Sequence, residues 1–425
     1  MKKLTYSGLN VDVYEEVLAN GLTIYVLPLP KFVNIFATFT TKYGSVHSTF
    51  KTVDEEQFHT VNPGIAHFLE HKLFENEDGT DPFAFFSKSG ANNNANTSNF
   101  RTTYIFSGSQ NFSGNLNYLI DFVQSPYITD ENVLKEKGII TQEAKMYMDI
   151  PYWRMVETAQ YNTFINDPHK IPVIGTLESI NNITKEELML CYNTFYHPSN
   201  MFITITGAVD PQTAIDIIKN NQDKKNYGLQ KPIINPEIEE PDNVALAFEE
   251  IKMDVVIPKI AINYKINFAN LGVPLKEFEL YMDQYLAVKF STTSVFTNQL
   301  IDNQLIIGDL MHFTTIGSKH LVLNFVFESK QAQTVIVMID EEIKKIEFNI
   351  NDFNRKKKTI LASLVRANDS IFSSNYRILE NIVTYGDVFL NAKDIVTKMN
   401  TDELMAILKN INFDNRNIVI INPLN

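Results

Sequence analysis

"ITKEELMLCYNTFYHPSNMFITITG" at 183–207 has a second version in "MNTDELMAILKNINFDNRNIVIINP" at 399–423, starting 216 residues later in a chain of 425. Both carry an acidic helix start, the triplet E-L-M, a helix, an Asn-containing turn and a β-branched run fit for a buried strand. An offset close to half the length is where a duplication would place it. The expected fold is therefore α+β, with two homologous domains, each a mainly antiparallel sheet covered by helices. Between the two copies, residues 221–244 are polar, carry Pro232, Pro236 and Pro241, and show no apolar period. That segment reads as a linker, giving domains at 1–220 and 245–425.

Composition fits this division. The chain is too long for one core, and at 44 % hydrophobic and 20 % charged residues it has the make-up of a soluble globular protein. Strand patterns such as "GLTIYVL" and "KHLVLNFVFES" alternate with helical ones such as "QAQTVIVMIDEEIKKI".

A net charge of −13 argues against nucleic acid or an anionic membrane as partner, because no basic surplus exists to release counterions. The one basic run, "NRKKKT" at 354–359, reads as a solvated helix face. The single cysteine, Cys191, excludes an internal disulfide and a cysteine-based zinc cluster. The start "MKKLTYSGLNVDVYEE" has no apolar stretch after its lysines, and no run of about 18 apolar residues follows anywhere, so neither a secretory signal nor a membrane span is expected. The expectation is a cytoplasmic protein.

Chemistry concentrates in "GIAHFLEHKLFE", 64–75. On a helix His67 and His71 project about 40° apart and can grip one ion. Glu70 lies on the same side, within reach of a water on that ion. A catalytic zinc takes three protein ligands and keeps one position for water, so a residue from elsewhere must complete the set. Glu143 and Glu136, two turns apart on the pattern "KEKGIITQEAKMYMD" (135–149), share one helix face. One of them suits the ligand role and the other a supporting hydrogen bond. Ordinary exposed helix glutamates would look the same. Thr129 or Asp130 is the expected N-cap.

H-x-x-E-H is the inverzincin arrangement, and these segments together resemble the pitrilysin/insulinase family of zinc metallopeptidases. "SGANNNANTSNFRTTYIFSG" (89–108) resembles the family's edge strand and "YHPSNMFITITGAVDP" (196–211) the strand closing its first domain. The likeness implies one Zn2+ per chain, held by His67, His71 and Glu143. It makes Glu70 the base and Glu136 the carboxylate behind the ligands. Asn94 and Ala95 would then contact a peptide substrate that adds as a strand to the sheet edge. The polar, small-residue run "NNNANTS" suits such a guest.

The second half departs from this pattern. At the same offset the zinc helix falls on "DQYLAVKF", 283–290, which has no histidine. The region "FTNQLIDNQLIIGDLMHFT", 296–314, lacks the Arg and Tyr that the family often supplies from its second domain. The expected function is a zinc-dependent endopeptidase acting on short or unfolded peptides. The alternative is a metal-bearing subunit that works only with a homologous partner, as heterodimer or homodimer. His47, His59 and His197 read as lone surface or hydrogen-bonded histidines. Tyr152 and Trp153 read as packing beneath the zinc helices, and Phe83, Phe85 and Phe86 as core with a secondary chance of lining a substrate pocket.

Overall fold

A computed structural model of the chain describes every residue except 7, 10, 270, 389, 390 and 425. The chain forms two compact units that are not contiguous in sequence: 1–144, 172–236 and 365–391 in the first, and 145–171, 237–364 and 392–425 in the second.

In chain order the first unit carries β1 (Lys2–Tyr6), β2 (Val11–Val17), β3 (Thr23–Pro28), β4 (Ile35–Thr41), β5 (Thr49–Thr52) and β6 (His59–Thr60). β7 (Asn92–Thr97), β8 (Thr102–Gly108), β9 (Met201–Gly207) and β10 (Ile233–Ile234) follow. Among the described residues, seven of these form one sheet in the order β1-β2-β3-β9-β4-β8-β7. Only β3 and β9 run parallel within it. The second unit holds β11 (Phe248–Met253), β12 (Lys259–Asn267), β13 (Ile307–Ile316), β14 (His320–Glu328) and β15 (Arg416–Pro423), ordered β11-β15-β12-β14-β13. There too one pair, β11 with β15, is parallel. The two E-L-M helices, Lys185–Phe195 and Thr401–Leu408, lead into β9 and β15, which hold equivalent places. Both sheets are mainly antiparallel and carry helices, as the sequence pattern anticipates.

Alternation along β4 and β9 explains how the first sheet is covered. Phe39, Ile203 and Ile205 point to one face, while Thr38, Thr40, Thr204 and Thr206, all fully buried, point to the other. Threonine favours the extended backbone, but a buried hydroxyl must find a partner. Helix Ile371–Tyr385 supplies two of them: Thr38 donates to Asn375 Oδ1 at 2.9 Å and Thr206 to the Ile371 carbonyl at 2.7 Å, while Thr40 pairs with Thr103 Oγ1 at 3.0 Å. Ile378, Leu379 and Ile382 of that helix pack on Val11, Val13, Leu27 and Phe202.

The second sheet is covered in the same manner by helix Pro151–Thr163. Its Met155 and Ala159 bury against Ala261, Val326, Val419 and Ile421. Asn417 Nδ2 donates to the Ala159 carbonyl at 2.7 Å, and Asn263 Nδ2 to Thr163 Oγ1 at 3.1 Å. Each unit thus borrows one helix from the stretch of chain that lies between segments of the other.

This exchange corrects the contiguous division at 1–220 and 245–425. The 221–244 segment is also no free linker. Ile233 and Ile234 pair with β5, and Glu240 is buried with Lys265 in an ion pair. Glu240 further accepts the backbone N–H of Ile165, Asn166 and Asp167 at 2.9, 2.6 and 2.7 Å. Tyr152 is partly buried against the second unit's cluster of Met155, Ala159 and Val419, and Trp153 is half exposed.

Candidate metal centre

The H-F-L-E-H segment forms helix Ile65–Lys72, entered through Gly64. Gly64 sits at φ 94°, and a Cβ there would meet the Ile174 carbonyl oxygen at 2.4 Å, so no larger residue fits this entry. Ala66, Phe68 and Leu69 anchor the helix in the core, which leaves His67 and His71 on its polar side.

The second helix, Asp130–Asp149, is capped at Thr129. Its hydroxyl accepts the Asn132 N–H at 3.2 Å, while Asn132 Oδ1 accepts the Thr129 N–H at 2.9 Å. Two turns of this helix carry Glu136 and Glu143 to the histidines. Glu143 Oε2 lies 3.9 Å from His67 Nε2 and 3.6 Å from His71 Nε2. One ligand atom from each of His67, His71 and Glu143 lies within 4.8 Å of the others, the one such cluster among the described residues.

These separations are too long for hydrogen bonds. They are close to the roughly 3.4 Å that separates two atoms each bound at about 2.0–2.2 Å to one tetrahedral zinc. The donor set of two imidazole nitrogens and one carboxylate also suits that ion.

Electrostatics suit the ligand role at His67. Burial, and then the neighbouring His71, push the His67 imidazole down to about 3, so it is neutral at physiological pH, as a ligand must be. Burial opposes the charged form of His71 as well. The Glu136 hydrogen bond and the charges of Glu136, Glu143 and Glu70 outweigh it and raise its pKa. His71 Nδ1 stands 2.9 Å from Glu136 Oε1. Glu136 is in turn 3.8 Å from the fully buried ammonium of Lys72, which also pairs with Glu75.

Glu70 is 9 % exposed. Burial raises its pKa, and the 2.6 Å hydrogen bond from Thr97 Oγ1 only partly offsets that. Thr97 is the last residue of β7, two residues beyond Ala95 and on the same face. The i, i+2 spacing in "NANT" was the signal that could have found it.

β7 closes the sheet order, and its backbone orientation follows from the hairpin. Ser98 N–H donates to the Arg101 carbonyl at 2.8 Å, and the register pairs Asn96 with Thr103 and Ala95 with Tyr104. Bonded and non-bonded pairs alternate, so Ala95 turns its N–H and C=O away from β8 to the open edge. Asn94 Oδ1 accepts that N–H at 2.9 Å.

The other singled-out residues stay apart from the cluster. His59 pairs with Glu55, and His197 with Ser199 and the Gly228 carbonyl. His47 accepts the Gly44 N–H. Phe86 is buried core, Phe85 stacks on Tyr118, and the half-exposed Phe83 stacks on Phe74.

Residues 59–177 match the family model described as Insulinase (Peptidase family M16), and 182–359 the model described as Peptidase M16 inactive domain. A Bacillus subtilis (strain 168) protein named uncharacterized zinc protease YmfH is 46 % identical over 295 residues, 69 % of each chain. The chain belongs to the M16 peptidase family. Its similarity to a solved M16-like peptidase from Alicyclobacillus acidocaldarius spans 98 % of this chain and 99 % of that one, at 30 % identity and a TM-score of 0.92. The periplasmic protease PqqL from Escherichia coli shares the fold alone, at 18 % identity and a TM-score of 0.74. There, 99 % of this M16 chain matches 48 % of the longer one. All three residues of the metal cluster, with Glu70 and Glu136, fall inside the first match. The 283–290 segment falls inside the second, where it forms the end of helix Leu275–Phe290.

Proposed function

We propose that the protein is a zinc-dependent endopeptidase hydrolysing short or unfolded peptides, with His67, His71 and Glu143 holding one zinc ion. Zinc held there supplies Lewis acidity towards water and the scissile carbonyl. Glu70 accepts the proton of the attacking water on its carboxylate as the new C–O bond forms. It then delivers that proton to the departing amide nitrogen as the C–N bond breaks. Burial raises the Glu70 pKa towards the range in which both transfers are efficient. Thr97 fixes the carboxylate by its hydroxyl, and Glu136 fixes the His71 ring. The outward C=O of Ala95, and its N–H once a guest carbonyl replaces Asn94 Oδ1 on it, suit backbone pairing with an extended peptide.

The observation that carries this reading is the placing of buried Glu70 beside a three-ligand cluster that matches the spread of a zinc shell. Glu70→Gln tests it: the variant should keep about one zinc per chain and lose cleavage of a quenched peptide. Zinc retained with unchanged cleavage would sink the assignment.

A second reading makes this chain the metal-bearing subunit of a homologous pair. It is favoured by 296–314, a helix and the start of β13, which offers neither Arg nor Tyr. It is also favoured by the likeness to 48 % of PqqL, a chain about twice as long. Cleavage of a broad peptide library by the chain alone would eliminate it. Among the described residues no helix is long and apolar enough to cross a membrane. The lone, buried Cys191 is in keeping with a cytoplasmic setting.

A further inference from the structure

"NNNANT" is an unusual strand. It lacks β-branched bulk until Thr97, and Asn and Ala are poor strand formers. At the end of the sheet, β7 pairs only with β8 among the described residues, so its extended form needs another support.

That support lies on the face away from Glu70. Asn96, which alternation turns opposite to Thr97, is held at both ends of its amide. Its Nδ2 donates to Tyr376 Oη at 2.8 Å, and its Oδ1 accepts from Arg101 Nη1 at 2.5 Å. Arg101 is 5 % exposed. Nη1 also donates to Thr103 Oγ1 at 2.9 Å, Nε donates to Glu380 Oε1 at 3.1 Å, and Nη2 pairs with the same carboxylate. The guanidinium carbon lies 5.4 Å from the Tyr376 ring centre. Tyr376 and Glu380 belong to helix Ile371–Tyr385, beyond residue 359, where the family matches end.

We infer that Arg101 is a positioning residue for the peptide-docking edge. Itself held by Glu380, it clamps Asn96 between its guanidinium and Tyr376 and keeps β7 extended, with Ala95 facing outward and Thr97 against Glu70. This rests on the proposal that β7 receives a peptide strand. Planar, forked guanidinium geometry is what the clamp uses, so lysine at 101 cannot replace it.

Deuterium exchange of the zinc-loaded full chain, read in peptides covering 92–97 and 201–207, tests the clamp. Arg101→Ala should speed exchange over 92–97 by about tenfold, with Arg101→Lys and Tyr376→Phe giving smaller increases, and leave 201–207 unchanged. Loss of the fold in Arg101→Ala leaves Tyr376→Phe, which removes one oxygen, to carry the comparison.

In a Glu70→Gln background, anisotropy of a labelled unstructured peptide should show Kd rising about fivefold or more for Arg101→Ala and for Asn96→Ala. The double variant should add little. Unchanged exchange over 92–97, or equal acceleration at 201–207, overturns the clamp. Faster exchange with unchanged Kd overturns its part in docking. A Glu70→Gln chain that binds no peptide overturns the docking proposal itself, whatever the exchange shows.

Discussion

His71 Nδ1 and Glu136 Oε1 stand 2.9 Å apart, and this contact turns the opposite nitrogen of the ring towards Glu143. A ligand whose far side is fixed loses less freedom on binding metal and is more basic. Glu136→Gln keeps the shape and removes the charge. Zinc affinity should fall by about tenfold or more, measured by competition with a chelator at neutral pH. Equal affinity would mean that the pair orients nothing.

Removing a ligand should have a larger effect. His67→Ala leaves one imidazole and one carboxylate, fewer than catalytic zinc takes. Metal analysis should find about one zinc per wild-type chain and almost none in the variant after dialysis. Full occupancy in His67→Ala would require a different ligand set.

Asn375 is fully buried and makes three contacts: it donates to the Thr204 carbonyl at 2.9 Å and the Phe36 carbonyl at 3.3 Å, and accepts from Thr38 at 2.9 Å. Asn375→Ala removes these bonds and leaves only the longer contacts of Thr38 Oγ1 to the Thr204 carbonyl at 3.3 Å and of Thr206 Oγ1 to the Phe36 carbonyl at 3.4 Å. The first unit should lose about 2–4 kcal/mol. Hydrogen exchange of 201–207 in low urea reads that unit, and a loss below about 0.5 kcal/mol would contradict the account.

The second unit should be acid-sensitive at Glu240. Burial alone would raise this carboxyl. The backbone N–H of Ile165, the Lys265 ammonium and the N–H groups of Asn166 and Asp167 outweigh it and hold it below its ordinary 4.5. A carboxyl lowered by folding contributes stability above its unfolded pKa and loses it as pH falls through and below that value. Between pH 6 and 3, Glu240→Gln should therefore show a shallower decline than wild type, starting from lower stability. Urea unfolding followed by exchange of 259–267 gives both curves, and parallel curves would remove Glu240 from the acid limb.

The sequence made the chemistry more legible than the wiring. H-x-x-E-H and the Glu136–Glu143 spacing are local periodicities, and a helix converts them directly into a shared face. The E-L-M repeat marked β9 and β15 because both copies keep the same helix-turn-strand order. The destination of helices Pro151–Thr163 and Ile371–Tyr385 was not legible, since an apolar stripe fits either sheet equally well. Residues 221–244 looked like a linker because they are polar, carry three prolines and lack an apolar period, and only the buried Lys265 shows why Glu240 is inside. Arg101 and Tyr376 lie hundreds of residues apart, and no local pattern joins them.

The borrowed helix Ile371–Tyr385 sets the order of events during synthesis. The first unit's other segments end at Pro236, but its last piece runs to Asn391, 155 residues later. At about 5–20 residues per second, its threonine face waits roughly 8–30 s for its cover. Over that interval the nascent sheet carries Thr38 and Thr204 without Asn375. A gene split at its midpoint would make that wait permanent.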